Sequence, residues 1–527
     1  VTPYVSALYD NVGHQGGFTE GADLFWKPNG QFQLTATLNP DFGQVESDDL
    51  VVNFSATETY FSDKRPFFTE NQGIFDFGLL DDNSQLVYTR RVGGPADDGN
   101  GAGDIDAAVK FNGSVGTTSY GVLAADERGD AGRTFGAARV VHDFGDQSLG
   151  LMLTRVDRPF LDRTATVIGI DHHWHPNDAL IMGANVVGTR IDQYDRTTQG
   201  LGATFIADYD MGGGWRQQWL GMHFDDRFQV NDFGYLERNN FDYAHWELQK
   251  RVTDLPAGSR YASHDWHFRI DGVDNDDRHL TLRRQLRITR SSDLRDGSNE
   301  MAQININSAG WDDLLTRGNN ALHLPPSIDS HWERTTPRHG NWAYKMQVEL
   351  YGNALTDDRR WGYDLKFIPT YFVNDAFSLY AGFYYEHTPD WLIWQHDNLI
   401  GEFDQHTLEA DGGFDWYIDD RQQLRLKLQA IGLDARFRGA YEVTANGAPI
   451  PSNEPVEDFS LRNLGVQVRY RYELAPLSYL YIVYGRGGYL QQDVPGAVSG
   501  APSQLGDAFS LRDEEQILVK LDYRFEM

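Results

Sequence analysis

The chain of 527 residues carries 77 acidic residues against 46 lysines and arginines, for a formal charge of −31, and it contains no cysteine. This balance argues against a nucleic-acid-binding protein, which usually has a surplus of basic residues. The lack of cysteine excludes disulfides, thiolate metal sites and a cysteine nucleophile. Aromatic residues make up 13% of the chain and the mean hydropathy is −0.52. The composition favours an ordered all-β protein, with no run of about 18 apolar residues that would predict a transmembrane helix.

The first elements along the chain are a predicted strand and an unusual segment. Residues 1–10, VTPYVSALYD, predict a strand and not a signal peptide. Residues 39–41, Asn-Pro-Asp, predict a turn because proline cannot continue strand pairing. Residues 51–61 have the pattern of a further strand. After Pro66, aromatic and charged residues mix without a clear period, so this segment needs partners on all sides.

The interior of a hollow barrel would supply such partners. We therefore predict that residues 40–84 fold inward as a constriction or plug, with cations pairing to local acids or to acids of the wall. The candidate residues of this segment are Glu46, Asp48, Asp49, Glu58, Lys64, Arg65, Phe67, Phe68 and Glu70. The alternative is a periplasmic or extracellular loop with a small apolar core of its own.

Strict alternation of apolar and polar residues recurs from here to the end of the chain and predicts strands. One face of residues 342–350 is Trp342, Tyr344, Met346, Val348 and Leu350. The same alternation runs through residues 259–270, 422–430, 463–474 and 516–527. These segments reach about ten residues, the length of a tilted strand that crosses a bilayer. Their polar faces carry full charges, which a packed core would not accept, so the pattern is that of a transmembrane β-barrel.

The connections between the predicted strands alternate in length. Short turns lie at residues 176–178, 211–214 and 418–420, whereas acidic or glycine-rich inserts lie at 93–104 and 441–458. This asymmetry is typical of bacterial outer-membrane barrels. At roughly 20 residues per strand with its connection, the chain predicts about 26 strands, within a range of about 24 to 28. We therefore predict an all-β fold, a large antiparallel transmembrane β-barrel formed by residues 1–527 as one domain, although length alone would suggest several domains.

A set of cations falls on the polar faces of the predicted strands and would line the lumen: Arg283, Arg287, Lys345, Arg425, Lys427, Arg469, Arg471, Lys520 and Arg524. Rings of such cations favour anions in a pore. The alternative is cross-strand ion pairing with Glu349, Glu473 and Asp522, which would leave no net field.

The sequence also offers a few possible metal ligands, with weaker support than the residues above. His173 and His175 would share one face of a strand and suit zinc with a carboxylate, although a polar strand end explains them better. Asp274 and Asp276 have the oxygen ligands that calcium takes, but the stretch departs from the EF-hand pattern. We therefore predict no bound cofactor apart from calcium at acidic loops, where divalent cations would also bridge lipopolysaccharide phosphates.

Three blocks of the sequence resemble a known family. They are LNPDFGQVESD with VVNFSATETYFSDKRPFFTEN, then DWYIDDRQQLRLKLQAIGL, and finally YIVYGRGGY. These blocks are similar to those of uncharacterised bacterial outer-membrane β-barrel proteins, known by a domain-of-unknown-function label. In that family the barrel usually follows a family 9-type carbohydrate-binding module. The resemblance implies an outer-membrane barrel in a Gram-negative bacterium, and it implies no reaction.

These observations predict a porin-like barrel that transports polar solutes, anionic or saccharide, across the outer membrane. The expected partners are outer-membrane lipid and lipopolysaccharide, with a periplasmic or surface protein as a further partner. The alternative is a translocation or docking barrel that works with a partner or with a glycan-binding module. A third hypothesis is an outer-membrane hydrolase, but no Gly-x-Ser-x-Gly, Walker or His-Glu-x-x-His motif is evident in the sequence.

Overall fold

The computed structural model describes residues 1–80, 83–353, 355, 360–494 and 498–526. Within them, successive strands pair antiparallel, and the first strand pairs with the last, Tyr4 opposite Asp522 and Asp10 opposite Gln516. The strands are β1 (Thr2–Asp10), β2 (Gln15–Asn29), β3 (Phe32–Leu38), β4 (Ile105–Val115), β5 (Thr118–Glu127), β6 (Thr134–Asp143), β7 (Gln147–Arg158), β8 (Arg163–Asn177), β9 (Leu180–Gln193), β10 (Arg196–Gly212), β11 (Trp215–Phe224), β12 (Phe241–Val252), β13 (Tyr261–Asp274), β14 (Thr281–Leu294), β15 (Asn299–Asn307), β16 (Gly310–Asp312), β17 (Leu322–Leu324), β18 (Ser327–Thr335), β19 (Trp342–Asn353), β20 (Arg360–Phe372), β21 (Phe377–His396), β22 (Leu399–Tyr417), β23 (Gln422–Val443), β24 (Pro449–Ser452), β25 (Asp458–Ala475), β26 (Ser478–Val494) and β27 (Glu514–Asp522).

The wall of the barrel consists of 24 of these strands in the described part of the chain. The other three lie outside the ring: β16 and β17 form a hairpin of their own, and β24 adds a short pairing beside β23. The predicted all-β barrel is confirmed, and its strand number is slightly below the expected value of about 26.

Helical structure is sparse. The α-helices are α1 (Pro66–Thr69) and α2 (Ala501–Ala508), and short 3₁₀ turns occur at Gly73–Phe75, Thr89–Arg91 and Pro159–Leu161. None of the helices in the described residues is long and apolar enough to cross a membrane.

The outer face of the wall is apolar and exposed, as strand β7 illustrates. Leu149, Leu151 and Leu153 are exposed on one face, while Met152 and Val156 on the other face are buried. Large exposed tryptophans recur around the outside, at Trp26, Trp174, Trp215, Trp219, Trp246, Trp342, Trp361 and Trp416. An apolar outer band with amphipathic aromatic residues is what lipid contact requires. The chain is therefore a transmembrane barrel of the bacterial outer membrane.

The connections at the two ends of the barrel differ in length. One end, here called the turn end, has short connections such as 30–31, 116–117 and 476–477. The other, the loop end, has long connections such as 225–240 and 308–326. In bacterial barrels the short turns face the periplasm and the long loops face outward. The longest connection of all, residues 39–104 between β3 and β4, leaves the wall at the loop end and is called the insert below.

Residues 51–61, predicted as a strand, form none, so that prediction is wrong. A closed barrel has no free edge on which a further strand could pair. The aromatic side chains of this stretch take separate partners instead. Phe54 packs against Trp391, with ring centroids 5.2 Å apart, and Tyr60 packs 5.0 Å from the ring of Tyr235.

Helix α2 lies against the outer face of the wall. Ala508 and Leu511 pack with Ala430 and Leu464, which belong to the apolar faces of β23 and β25. Gly432 is the point of closest approach, because a Cβ there would lie 2.1 Å from the backbone nitrogen of Leu505. Residues 501–511, which precede β27, therefore fold back over the outside of the barrel.

Candidate functional site

The insert is bonded to strands on opposite sides of the ring. The amide of Asn185 on β9 donates to the carbonyl oxygen of Gly78 at 2.7 Å. On the far side, the ammonium of Lys427 on β23 donates to the carbonyl oxygen of Ser47 at 2.9 Å. Strands β9 and β23 stand twelve places apart in a ring of 24. Hydrogen bonds of the insert thus reach both sides of the barrel.

On one side the contact is apolar and dry. Phe68, Phe75, Phe77, Leu79 and Leu86 of the insert are almost completely buried, in one cluster with inward side chains of β4–β11. The wall contributes, among others, Leu123, Phe135, Met152, Val156 and Val187. Each large apolar side chain that is buried contributes about 1.5–3 kcal/mol. This part of the insert is therefore anchored like the core of a soluble domain.

Arg65 organises the insert around a buried ion pair. Its guanidinium donates to the carboxylate of Asp63 at 2.6 Å and to the carbonyl oxygens of Val92 at 2.7 Å and Thr89 at 2.8 Å. It also lies 4.3 Å from the ring centroid of Phe68. Burial opposes ionisation of Asp63, but hydrogen bonds from Arg65 and Thr89 hold the pKa of that carboxyl below its usual range. The pair links the two halves of the insert, residues 63–68 and 89–92.

A buried cation of the wall, Lys110, bonds to helix α1. Lys110 of β4 is 2% exposed, and its ammonium donates to the carbonyl oxygens of Phe67, at 2.7 Å, and Glu70. The last carbonyl groups of a helix lack partners within the helix, so a lysine there satisfies them. Glu70 was predicted to pair with a cation through its carboxylate, whereas in the structure its backbone carbonyl accepts the hydrogen bond from Lys110.

The other charged residues predicted in the insert form pairs with the wall or within the insert. Asp48 accepts from Arg90 and lies 3.5 Å from Lys64. The remaining pairs are Glu46 with Arg425 at 3.3 Å, Asp49 with Lys427 at 2.6 Å and Glu58 with Arg91 at 2.8 Å. Sequence reasoning missed Asp63, Arg90 and Arg91 as partners, since nothing local distinguishes them from other charged residues.

The predicted lumen cations are mostly engaged by acceptors. The ion pairs are Arg283–Asp271 (3.1 Å), Lys345–Glu333 (3.1 Å), Arg425–Asp415 (2.7 Å), Lys427–Asp49 (2.6 Å) and Arg524–Glu526 (4.0 Å). The other contacts are Arg287 with Asn305, Arg469 with the carbonyl of Gln44, Lys520 with the carbonyl of Asp41, and Arg471 with the ring of Tyr479. Local pairing of this kind leaves little free positive field.

The inner face of β12–β15 and β18–β20 is polar and partly open to solvent. Cross-strand pairs run along it, including His331 with Glu349 and Glu247 with Arg269. The side chains of Arg283, Lys345 and Glu349 are 39%, 44% and 38% exposed to solvent. Charged groups that stay hydrated on an inward face need water beside them.

The weak metal candidates do not assemble as a set. Asp274 pairs with Arg284 at 2.8 Å, and the side chain of His173 is exposed with its nearest carboxylate, Asp171, 3.8 Å away. His175 is exposed near the turn end, where its backbone nitrogen donates to Asp146. Asp276, by contrast, joins His223 and Asp242 in a group whose possible ligand atoms lie within 4.8 Å of one another, without the other predicted candidates.

A family model matches residues 1–112 and 144–524 of the chain, and its description is a domain of unknown function, DUF5916. The chain belongs to the DUF5916 family. This agrees with the blocks of sequence that resemble an uncharacterised outer-membrane family. Comparison with curated proteins gives no match.

Solved structures that align with the chain include siderophore receptors and a copper transporter. The siderophore receptor PirA from Acinetobacter baumannii aligns with a TM-score of 0.43 and 9% identity, over 99% of this chain and 80% of that one. A variant of the ferric enterobactin receptor PfeA from Pseudomonas aeruginosa aligns with a TM-score of 0.47 and 9% identity, over the same shares. The copper transporter OprC gives a TM-score of 0.34 at 9% identity, again over 99% and 80%. Similarity at this level supports no conclusion about the solute or the mechanism of this chain.

Proposed function

We propose that this DUF5916 barrel is a constricted outer-membrane pore, in which the insert narrows the lumen and polar solutes pass along the inner face of β12–β15 and β18–β20. The observation that carries the proposal is that one part of the inner surface is apolar and covered by the insert, whereas another part is polar and exposed. The insert is anchored in a dry apolar cluster on β4–β11. The inward charged groups of β14 and β19 keep more than a third of their exposure.

The insert acts as a fixed constriction in this proposal. Its displacement would expose Phe68, Phe75 and Phe77, each of which contributes about 1.5–3 kcal/mol by burial. A ring of 24 strands is too wide to be filled by wall side chains alone, so an anchored insert sets the size of the passage.

The charge on the open side favours neutral polar solutes, such as saccharides, and small cations over anions. Neighbouring strands place acids on the inner face in a row, Glu349 opposite Asp364 and Asp364 opposite Glu386, with Asp411 further along. The nearby Lys345 is already paired with Glu333. Rings of acids favour cations in a pore.

An engineered disulfide tests whether the insert is fixed. A Cβ at Gly121 of β5 would lie 2.7 Å and 3.2 Å from the two γ-carbons of Ile74 in the insert. This matches the separation of roughly 3 Å between a Cβ and the far sulfur of a disulfide. The variant Ile74→Cys with Gly121→Cys should therefore lock the insert to the wall, and the natural chain has no cysteine to interfere.

We expect steady single-channel conductance in planar bilayers, with the same value before and after reduction of the lock. The reversal potential under a salt gradient should indicate a preference for cations. The single-cysteine variants serve as controls for the substitutions themselves. Conductance that appears only after reduction would show that the insert must move. Silence in a correctly inserted barrel would overturn the pore and favour a docking or translocation barrel that needs a partner.

A further inference from the structure

Strands β21, β22 and β23 are the part of the wall that extends farthest. They contain 20, 19 and 22 residues, whereas about 9–11 residues of a tilted strand suffice to cross the bilayer. Their halves toward the loop end therefore rise beyond the hydrocarbon region. On this extension, His387, His406 and Asp434 lie directly opposite one another across the three strands, and Asp404 lies two residues from His406 on the same face.

This cluster faces outward from the barrel. His387 shares the face of β21 that carries the exposed Leu379 and Phe383. Asp434 shares the face of β23 on which Gly432 meets helix α2. Its carboxylate also accepts a hydrogen bond, at 2.5 Å, from the backbone nitrogen of Ala501, the first residue of α2. The cluster thus lies between three strands of the wall and the end of an outer helix.

The side chains converge on one point. Nε2 of His387 lies 2.8 Å from Oδ1 of Asp404, and the imidazoles of His387 and His406 stack with centroids 4.6 Å apart. Nδ1 of His406 lies 3.5 Å from Oδ2 of Asp434. One ligand atom from each of His387, Asp404 and His406 lies within 4.8 Å of the others.

Two atoms in this cluster are buried without a hydrogen-bond partner among the described residues. They are Nδ1 of His406 and Oδ2 of Asp434, and the side chain of Asp434 is only 1% exposed. Arg436 lies 3.2 Å from that oxygen as a charge partner. A buried polar atom without a partner costs free energy, so such an atom in a native structure indicates a bound ion or water.

We propose that His387, His406 and Asp404, with Asp434 as the fourth ligand, bind one divalent transition-metal ion of the zinc class. Two imidazoles and carboxylate oxygens form a donor set that suits zinc, whereas calcium and magnesium take oxygen ligands. Arg438 donates to the second oxygen of Asp404 at 2.6 Å. Outer contacts of this kind orient ligating carboxylates, and Arg436 and Arg438 offset the charge of the two acids.

The metal ion would fasten the outer helix to the wall. Asp434 joins the cluster through one oxygen and α2 through the other. A bound ion would also satisfy the unpartnered nitrogen of His406. The site is structural in this proposal, since it lies on the outside of the barrel and the lumen plays no part in it.

Equilibrium dialysis of the full-length protein in detergent against buffered zinc tests the proposal. We expect about one tightly bound ion per chain, because a structural zinc ion takes four protein ligands and the cluster supplies one such set. The variant His387→Gln with His406→Gln should weaken binding more than about 100-fold, because even outer-shell changes cost about 10–100-fold. Cobalt bound in place of zinc should give visible absorption bands of a four-coordinate site in the natural chain and not in the variant.

The matched control is His223→Gln, which alters the other histidine and carboxylate group of the described residues, formed with Asp242 and Asp276. This variant should keep full zinc affinity at the proposed site. Heat-modifiable migration on gels would verify that every variant is a folded barrel. Equal zinc affinity of the natural chain and the double variant, or loss of the tight site in the His223 control, would overturn the proposal.

Discussion

Replacing Arg65 by methionine is expected to destabilise the insert by about 3–5 kcal/mol, the cost of leaving one charge of a buried ion pair without its partner. The side chains of Arg65 and Asp63 are 14% and 6% exposed, so water cannot take over the lost contacts. Methionine keeps much of the apolar volume beside Phe68 but leaves the carbonyl oxygens of Val92 and Thr89 without these donors. The barrel wall should remain folded because its strand pairing is untouched.

Hydrogen exchange of the insert amides measures this effect directly. The backbone nitrogens of Thr69, Glu70 and Val92 donate within the turns that Arg65 holds, and their exchange should accelerate while wall amides stay protected. The control Arg90→Met removes a partly exposed ion pair with Asp48, which should contribute no more than about 1 kcal/mol. Adding Asp63→Asn to Arg65→Met should recover part of the stability. Unchanged exchange in Arg65→Met would show that the pair does not hold the insert.

The same pair gives the insert a dependence on pH. Hydrogen bonds from Arg65 keep the pKa of Asp63 below its unfolded value, although burial opposes them. The stabilisation is therefore fully present above the unfolded pKa and is lost as pH falls through the folded one. We expect insert amides to lose protection in acid before the wall does, and the loss to be absent in Asp63→Asn with Arg65→Met.

The strand pattern of the chain was predictable because the two faces of a barrel strand have different surroundings. The alternation of residues within each strand shows this difference without knowledge of the rest of the fold. Residues 342–350 and 463–474 alternate as β19 and β25 require, since one face meets lipid and the other meets water. The same rule is less informative for β4–β11, where inward residues such as Phe135 and Met152 are apolar as well. There the insert packs against the inward side chains, and a strand with two apolar faces shows no contrast that would reveal what covers the inner one.

The site was less predictable because its contacts join distant parts of the chain. The composition of residues 40–84 indicated a need for partners on all sides, but the partner of both Ser47 and Asp49 is Lys427, which is distant in the sequence. The cluster of His387, Asp404 and His406 gives no local pattern either, since its members belong to separate strands. Only the register of the sheet brings them together.

Replacing residues 62–75 by a short glycine–serine linker is expected to widen the pore while the barrel still inserts. The change removes Phe67, Phe68 and Phe75 from the apolar cluster, a loss of about 5–9 kcal/mol of burial at about 1.5–3 kcal/mol for each ring. The flanking anchors remain, because Tyr60 still packs on Tyr88 and Tyr235. The rest of the insert should stay tethered while space opens beside β4–β11.

Single-channel conductance and the size of neutral polyethylene glycols that enter the pore measure the widening. Both should increase in the linker variant, and the cation preference should persist because the acids of β19–β21 are untouched. The control places the same linker at residues 253–258, a mostly exposed connection at the turn end, and should leave conductance unchanged. If the linker variant inserts as a folded barrel with the conductance of the natural chain, residues 62–75 do not limit the passage. The contacts of residues 46–49 with β23 and β25 are then the next candidates for the narrowest point.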